Sequence, residues 1–321
     1  METVEPERVS KFFVHPTPPF DFQRSAAIHG RFRKSLPEVF EDRRYKRVLH
    51  MDIRPVLVSI SSEGTVDNPK LRVGISPKLK RSEWAALKRQ LQSMFASSMD
   101  FNKFSSVVKK DRLMRKVAAT LRGFRPIAPP TVFEATIVAI TEQQISLDAA
   151  VAIRSRMVEK FGDKVVCGTR TFYSFPTPKS LGKAGLDALR GVGLSVGKAQ
   201  YIRDLSKRVS AGHLDLERLR EMDDDAAIAE LTEINGIGRW SAEYVLVRGM
   251  GRMNSLPADD VGIQRAVSRA YFRDRKVSAG DVRRVLKKFA PYSGVAAFYL
   301  MYYLFWEPQE ISHAPAVPFI S

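Results

Sequence analysis

The chain is most tightly constrained by a glycine-containing turn between two helical segments in residues 231–260. Helical periodicity over residues 226–234 is broken by Asn235-Gly236-Ile237-Gly238, and apolar residues then return at helical spacing with Trp240 and Tyr244. Two glycines separated by one apolar residue allow a tight turn with positive φ, and Ile237 can fill the gap between the helices. The pattern therefore predicts a helix, a glycine hairpin and a second helix.

The start of the second helix is predicted to hold an anion. The first N–H groups of a helix have no partner within the helix, and the helix dipole makes this end attractive to negative charge. Arg239 stands beside this end. We therefore expect the hairpin to bind a phosphate oxygen, a contact that positions a protein on nucleic acid but reads no base sequence.

A loop that contains two adjacent carboxylates follows one helix later, in residues 256–262. In an arbitrary sequence, Asp259 and Asp260 are most simply explained as N-caps of the next helix. The upstream hairpin favours a second interpretation, in which one of the two carboxylates acts on a substrate that the hairpin positions.

The hairpin and the loop together resemble a known superfamily. Residues 236–244, followed by the Pro-x-Asp-Asp loop of residues 256–262, are similar to the helix-hairpin-helix motif, Gly/Pro-rich loop and aspartate of the HhH-GPD DNA glycosylases. The nearest pattern is that of the AlkA-type 3-methyladenine DNA glycosylases. The resemblance spans roughly residues 45–305. It implies an α+β fold, in which a small N-terminal antiparallel sheet domain with helices precedes a mostly α-helical, two-part glycosylase core.

The resemblance also implies roles for individual residues. Asp260, which precedes Val-Gly, takes the catalytic position, and Asp259 is expected to cap the following helix. Gln144 matches the wedge that fills the space left by a flipped base, with Gln143 as its neighbour. The predicted DNA-binding residues are Gln143, Gln144, Asn235, Gly236, Ile237, Gly238 and Arg239. The predicted base-pocket residues are Trp240, Tyr244, Met301 and Tyr302.

Three positions depart from the patterns of relatives. An amide, Gln144, stands where many AlkA-type enzymes have an apolar wedge, and Met301 stands where a large aromatic is usual. Trp240 occupies the position at which bifunctional members carry a Schiff-base lysine, and Arg239 is always protonated and cannot replace it. We therefore expect hydrolysis of an N-glycosidic bond without strand cleavage. No cofactor is expected, although a monovalent cation can bind the hairpin backbone by analogy.

Composition favours a polyanionic partner. Lys and Arg total 52 against 35 Asp and Glu, which gives a net charge of +17. The partner expected is double-stranded DNA with a damaged base, and a solvated cationic surface is the alternative explanation of the charge. The single cysteine, Cys167, excludes an internal disulfide and a multi-cysteine metal cluster.

We recognise no apolar run long enough to span a membrane and no signal peptide. We therefore expect an intracellular monomer of the cytoplasm, nucleoid or nucleus, with no membrane partner.

The chain divides into three predicted parts. Residues 1–45 read as an extended arm rich in proline and aromatics. Residues 46–122 contain short strand-like runs and then a helix with Leu87, Leu91 and Phe95 on one face. Residues 123–321 read as the helical core, in which residues 175–181 are expected to form a loop.

Helix–glycine–helix spacing recurs more weakly around residues 186–202, where Ser195 and Lys198 are further candidates for phosphate contacts. A final helix over residues 293–306 is apolar on nearly every side and is expected to be buried.

Other functions remain open at this level. A glycosylase of the same fold could act on hypoxanthine, an oxidised purine or a modified pyrimidine, because the missing lysine excludes only lyase chemistry. A non-catalytic DNA-binding protein could use the same hairpin. A third hypothesis is a basic helical protein whose glycine turns occur by chance. The number of matches to the glycosylase pattern, in the same order along the chain, argues against it.

Overall fold

Alternating apolar residues build an antiparallel sheet near the N-terminus. The computed structural model describes residues 3–4, 10–30, 35–51, 54–95 and 100–306. Within these, the sheet has the strand order β2-β6-β5-β4-β3. The strands are β2 Ser10–Val14, β3 Val39–Glu41, β4 Arg44–Met51, β5 Arg54–Ser62 and β6 Leu71–Ser76. Val48 pairs with Leu57, and Ile60 pairs with Val73.

The N-terminal segment differs from the extended arm that its prolines and aromatics predict. Ser10–Val14 pairs along β6 as an edge strand, and Phe22–Gly30 forms helix α1. Phe20 and Phe22 are buried in the core of the sheet domain, as expected of docked phenylalanines. Asp52 and Ile53, at the end of one predicted strand, lie outside the described residues.

A second sheet was not predicted. Strand β1 (Thr3–Val4) runs parallel to β7 (Lys164–Cys167), which pairs with β8 (Arg170–Tyr173) in antiparallel fashion. A bridge between Val48 and Ser174 connects the two sheets. The β1–β7 pairing and the Val48–Ser174 bridge join segments more than 100 residues apart, so local sequence patterns could not reveal them. Strands β7 and β8, in contrast, are neighbours in the sequence.

Helices account for most of the remaining chain, and several begin at caps that the sequence contains. The Thr131 side chain accepts a hydrogen bond from the Glu134 N–H, and Ser278 and Asp281 form a capping box. The helices are α2 Glu83–Phe95, α3 Phe101–Val108, α4 Arg112–Thr120, α5 Val132–Glu142, α6 Leu147–Phe161, α7 Pro178–Lys183, α8 Leu186–Arg190, α9 Val196–Ser210, α10 Asp224–Thr232, α11 Arg239–Tyr244, α12 Val261–Tyr271, α13 Ala279–Leu286 and α14 Ser293–Phe305.

One of these helices corrects the loop expected over residues 175–181. Helix α7 begins at Pro178, with the Thr177 hydroxyl capping the Ser180 N–H. Proline has no N–H to lose in the first turn of a helix and has a suitable φ there, so a Thr-Pro pair can start a helix as well as form a loop.

The helices pack into two separate apolar cores. One is built largely from α5 to α11, and the other from α3, α4 and α12 to α14. The predicted α+β fold with a two-part helical core is thereby confirmed. Helices α3 and α4, which fall in the predicted sheet domain, share a core with the closing helix α14. Among the described residues, no helix combines the length and the apolar character needed to cross a membrane.

A buried ionic cluster joins the sheet to the helical core. The Arg47 guanidinium on β4 donates to Glu38 at 2.8 Å and to both carboxylate oxygens of Glu134 on α5. The Arg47 side chain is only 1% exposed. Since a buried charge is tolerated only when it is paired, this cluster fixes α5 against the sheet.

Candidate active site

The glycine hairpin forms as predicted, but only one of its two glycines needs a positive φ. Gly236 has φ +85°, and a Cβ there would lie 2.2 Å from the Tyr201 ring. Gly238 is the N-cap of α11 with φ −90° and ψ 177°, and a Cβ there would meet no atom within 4 Å. Ile237 is buried in the core between the helices. Gly236 is therefore the glycine that the turn requires.

The hairpin faces an open groove that can accept a charged strand. Gly238 supplies no side-chain cap to α11, so the first N–H groups of that helix have no side-chain acceptor at the N-cap. The Arg239 side chain is 63% exposed and is held by Glu243 at 2.9 Å. The groove has a volume of about 650 Å³. It is lined by Gln143, Gln144, Ser195, Gly197, Lys198, Tyr201, Thr232, Ile234, Asn235, Gly236, Ile237 and Gly238.

Gln143 and Gln144 lie at the end of α5, between this groove and a larger cavity. The Gln143 amide donates to the Gly236 carbonyl at 2.8 Å and to the Ser241 hydroxyl at 2.9 Å. Gln144 is exposed and adopts φ +54°, a strained conformation for a residue with a Cβ. Gln143 therefore braces the hairpin, whereas Gln144 projects from the turn. Their DNA contacts stay a prediction.

Lys198 holds the same turn from the other side. Its ammonium donates to the carbonyls of Thr141 at 2.9 Å and Gln143 at 2.6 Å, at the C-terminal end of α5. Burial lowers the pKa of this lysine. In this structure Lys198 thus positions the Gln143-Gln144 turn, a role that the predicted phosphate contact did not include.

Asp260 is held at the wall of the larger cavity by two hydrogen bonds. One carboxylate oxygen accepts from the Ile263 N–H at 3.0 Å, and the other accepts from the Trp240 indole N–H at 3.2 Å. Asp260, and not Asp259 as expected, is thus the N-cap of α12. Helix capping and a place in the cavity do not exclude each other, because a carboxylate has two oxygens and only one is used by the cap.

The cavity has a volume of about 1040 Å³ and lies between the two helical cores. The structure brings Asp260 together there with all four predicted pocket residues, which are Trp240, Tyr244, Met301 and Tyr302. The Trp240 and Tyr244 ring centroids are 5.6 Å apart.

Other aromatic side chains complete the walls. Tyr302 packs against Phe124 at 4.2 Å, and Trp306 meets Tyr302 edge-on at 5.8 Å. Phe124 lies in a proline-rich connection and Trp306 at a helix end, and neither position carried a local signal for the pocket. Together the rings form a space in which a flat aromatic molecule can stack.

Polar residues that sequence reasoning missed also line the cavity. They are His29, Glu38, Glu134, Glu142, Arg154, Arg248 and Arg265. Burial lowers the pKa of His29 to about 4, and burial raises the pKa of Glu142. Arg248 is placed by a π-helical turn, Val245–Gly249, that follows α11. These residues come from distant parts of the chain, and only the packed fold brings them together.

The carboxylate at the cavity wall can stabilise a positively charged reaction centre. In the part of the chain that the structure describes, no group of three His, Cys, Asp or Glu side chains could hold a metal ion. A fixed carboxylate at the wall of a cavity lined largely by apolar and aromatic side chains stabilises positive charge that develops beside it.

Comparisons with known proteins point to one family. The family model described as "HhH-GPD superfamily base excision DNA repair protein" matches residues 137–291. A Bacillus subtilis protein named DNA-3-methyladenine glycosylase is 28% identical over 212 residues, which are 66% of this chain and 70% of that protein. An Escherichia coli protein named DNA-3-methyladenine glycosylase 2 is 25% identical over 61% of this chain and 66% of that protein.

A solved structure extends the likeness over nearly the whole chain. The structure titled 3-methyladenine DNA-glycosylase from Archaeoglobus fulgidus aligns with a TM-score of 0.80 and 29% identity, and it covers 92% of this chain and 99% of that one. The match includes the sheet domain as well as the helical core. With the hairpin, the aspartate loop and the cavity arranged as described, this chain matches the HhH-GPD superfamily of base excision DNA repair proteins in its helical core and shares the fold of the Archaeoglobus fulgidus structure over nearly its whole length.

Proposed function

We propose that this protein is a DNA glycosylase that flips an alkylated purine out of duplex DNA and hydrolyses its N-glycosidic bond, leaving an abasic site. The observation that carries the proposal is Asp260, whose carboxylate lines an aromatic cavity beside the hairpin and is held there by Trp240. The names of the Bacillus subtilis, Escherichia coli and Archaeoglobus fulgidus relatives support the choice of a methylated purine.

The parts of the site match the steps that the reaction needs. A base inside a duplex is out of reach of side chains, so the nucleotide must be everted at a cost of a few kcal/mol. The hairpin at Gly236 anchors the backbone phosphate, and Gln144 fills the space that the base leaves. The everted base stacks on Trp240 and Tyr244, where a cationic purine gains from cation–π attraction.

Asp260 then acts at the sugar. Breaking the bond between C1′ and the base nitrogen builds positive charge on the deoxyribose, as in other glycoside cleavages. The Asp260 carboxylate stabilises this charge and orients or deprotonates the attacking water. The bonding electrons leave with the base, and the water oxygen forms the new bond at C1′.

The reaction is proposed to stop at the abasic site. A lyase step needs an amine that forms a Schiff base with the sugar. Trp240 occupies the position of that lysine, and none of the described residues that line the cavity is a lysine. We propose further that the enzyme acts as a monomer in the DNA-containing compartment, requires no cofactor, and can bind a monovalent cation at the hairpin backbone.

A panel of duplexes, each with one modified base, tests the proposal. We expect the protein to release 3-methyladenine or 7-methylguanine, and strand breaks should form only after alkali is added. Borohydride should trap no covalent complex, because no Schiff base forms. Tight binding to abasic-analogue DNA without release of any base would instead identify a non-catalytic DNA-binding protein.

Replacing Gly236 by alanine is expected to weaken binding to duplex DNA by at least about tenfold, which is about 1.4 kcal/mol. The new Cβ would lie 2.2 Å from the Tyr201 ring, so the hairpin must shift away from the groove. Fluorescence anisotropy with an abasic-analogue duplex measures the affinity.

Gly212→Ala is the matched control. Gly212 has φ +73° and so carries the same left-handed strain, but a Cβ there meets no atom within 4 Å. Its DNA affinity should equal that of the wild type. If both variants bind alike, the shape of the hairpin at Gly236 does not govern binding.

A further inference from the structure

Besides Asp260, the cavity is lined by carboxyl groups that the proposed reaction does not use, and Glu142 is one of them. Glu142 is the last residue of α5, and its side chain, 15% exposed, lines the same cavity as Asp260. It precedes the Gln143-Gln144 turn directly. Burying an ionised carboxylate costs free energy unless other groups compensate its charge, so the groups around Glu142 decide its protonation state.

Glu142 and Asp260 flank one aromatic wall. The Asp260 carboxylate accepts a hydrogen bond from the Trp240 indole at 3.2 Å. The Trp240 ring lies 5.6 Å from the Tyr244 ring. Glu142 lines the same cavity as Tyr244, and the Tyr244 hydroxyl acts to lower the pKa of the Glu142 carboxyl. A base that stacks on these two rings therefore has one carboxyl group near Trp240 and another near Tyr244.

The charges that face Glu142 come from four elements. Arg154 on α6 approaches to 3.5 Å, Tyr244 on α11 and Arg248 on the π-helical turn face it, and Asp260 contributes from the cap of α12. Burial is the largest influence and raises the pKa of Glu142, and the negative charge of Asp260 acts in the same direction. The two arginines and the tyrosine oppose this effect. The Glu142 carboxyl is thus more readily protonated than an ordinary glutamate.

We propose that Glu142 is a second catalytic residue, which donates a proton to a ring nitrogen of a neutral purine while the bond between C1′ and the base breaks. The inference rests on the proposed glycosylase function and extends it to uncharged bases. Its basis is the geometry of the cavity, in which Glu142 and Asp260 line the same space as the Trp240 and Tyr244 rings.

A neutral base needs a proton to be a good leaving group, whereas a cationic base does not. When the bond breaks, its electron pair moves to the base, and a neutral purine would leave as an anion. A proton passed from Glu142 to a purine nitrogen makes the leaving base neutral, and the Glu142 carboxylate that remains is stabilised by Arg154. Water adds to C1′ and loses its proton through Asp260 to solvent. Glu142 then regains a proton from solvent. A cationic alkylated purine leaves as a neutral base without this help.

The test compares one neutral and one cationic lesion in the same protein. Single-turnover rates are measured against pH for duplexes that contain hypoxanthine or 7-methylguanine, with wild type and Glu142→Gln. We expect Glu142→Gln to slow hypoxanthine release by about 100-fold, the size of a general-acid effect. The loss on 7-methylguanine should be at least about ten times smaller.

The pH profile gives a second readout that a merely structural role would not move. Since the acid must be protonated to act, wild-type hypoxanthine release should fall as pH rises through the raised pKa of Glu142. Glu142→Gln should lack this decline. Glu142→Asp, which keeps an acid, should retain it at a lower rate, and it serves in place of the glutamine variant if that variant melts early. Glu221→Gln, an exposed glutamate outside the cavity, controls for the substitution.

The outcomes separate the inference from the function on which it rests. Equal losses on both lesions with an unchanged pH profile would overturn the acid role. So would a larger loss on 7-methylguanine, which would mean that the Glu142 carboxylate balances a cationic base. Release of 7-methylguanine but not hypoxanthine by the wild type would also overturn it and leave the glycosylase function intact. Release of no base at all would instead contradict the proposed function.

Discussion

Asp260→Asn should lower the single-turnover rate of base release by about 100- to 1,000-fold, the usual effect of removing one preorganised electrostatic group. The asparagine oxygen can still accept the hydrogen bond from the Ile263 N–H, so the cap of α12 survives. What is lost is the negative charge, together with the oxygen that accepts from the Trp240 indole, because asparagine has an NH2 donor in that place. Affinity for abasic-analogue DNA should therefore stay close to that of the wild type, so that catalysis falls without a matching loss of binding.

Asp223→Asn provides the comparison for this prediction. Asp223 caps α10 by accepting a hydrogen bond from the Ala226 N–H, and it lies outside the cavity. The two variants thus lose a capping charge of the same kind, but only one loses it in the site. Wild-type turnover by Asp260→Asn would remove this carboxylate from the mechanism. An equal loss in both variants would indicate an effect on helix capping alone.

Arg47→Met should destabilise the folded protein by about 3–5 kcal/mol, because it leaves buried carboxylates without their partner. Arg47 is the shared partner of Glu38 and Glu134, and the Glu134 side chain is 5% exposed. Methionine fills part of the volume of the arginine side chain, but it has no positive charge to balance Glu38 and Glu134. Urea denaturation monitored by circular dichroism measures the loss.

The loss should depend on pH in a defined direction. Without Arg47, burial raises the pKa values of Glu38 and Glu134 in the folded variant above those in the unfolded chain. The folded variant then binds more protons than the unfolded chain at intermediate pH, so its stability falls as pH rises. The deficit relative to wild type should therefore be larger in alkaline buffer than in mildly acidic buffer.

An exposed ion pair between an arginine and an aspartate provides the control for the Arg47→Met loss of stability. Arg122 pairs with Asp67 on the surface, where the side chains are 48% and 70% exposed. Solvent screening makes such pairs weak, so Arg122→Met should cost only a small part of the Arg47→Met loss. Similar losses in the two variants would show that the buried cluster does not hold the sheet to α5.

Local patterns in the sequence were sufficient for the elements that carry their own signals. The strands around Val48 and Ile60 follow from alternation of apolar residues, and α5 follows from its apolar run and the Thr131 cap. The turn at Gly236 follows from its glycines. In each case the determining contacts lie within a few residues, so the pattern is visible in the linear chain.

The structure differed from the sequence-based prediction where contacts with distant parts of the chain decide the conformation. Strand Ser10–Val14 exists because β6 offers an unpaired edge, which residues 10–14 by themselves do not reveal. The cap of α12 is Asp260 and not Asp259, a shift of one residue that the backbone geometry sets. Gln143 is predicted only as the DNA-binding neighbour of the wedge, yet the fold places the Gly236 carbonyl 2.8 Å from its amide.

The order of residues by itself determined the hairpin, the position of Asp260 one helix later, the α+β division and the positive charge that suits DNA. Tertiary structure alone decided which side chains share the cavity, above all Glu142, Arg154 and Arg248 beside Asp260. The physical reason is that helix and turn signals arise from contacts a few residues apart, whereas a cavity is the space left between elements that pack from distant parts of the chain.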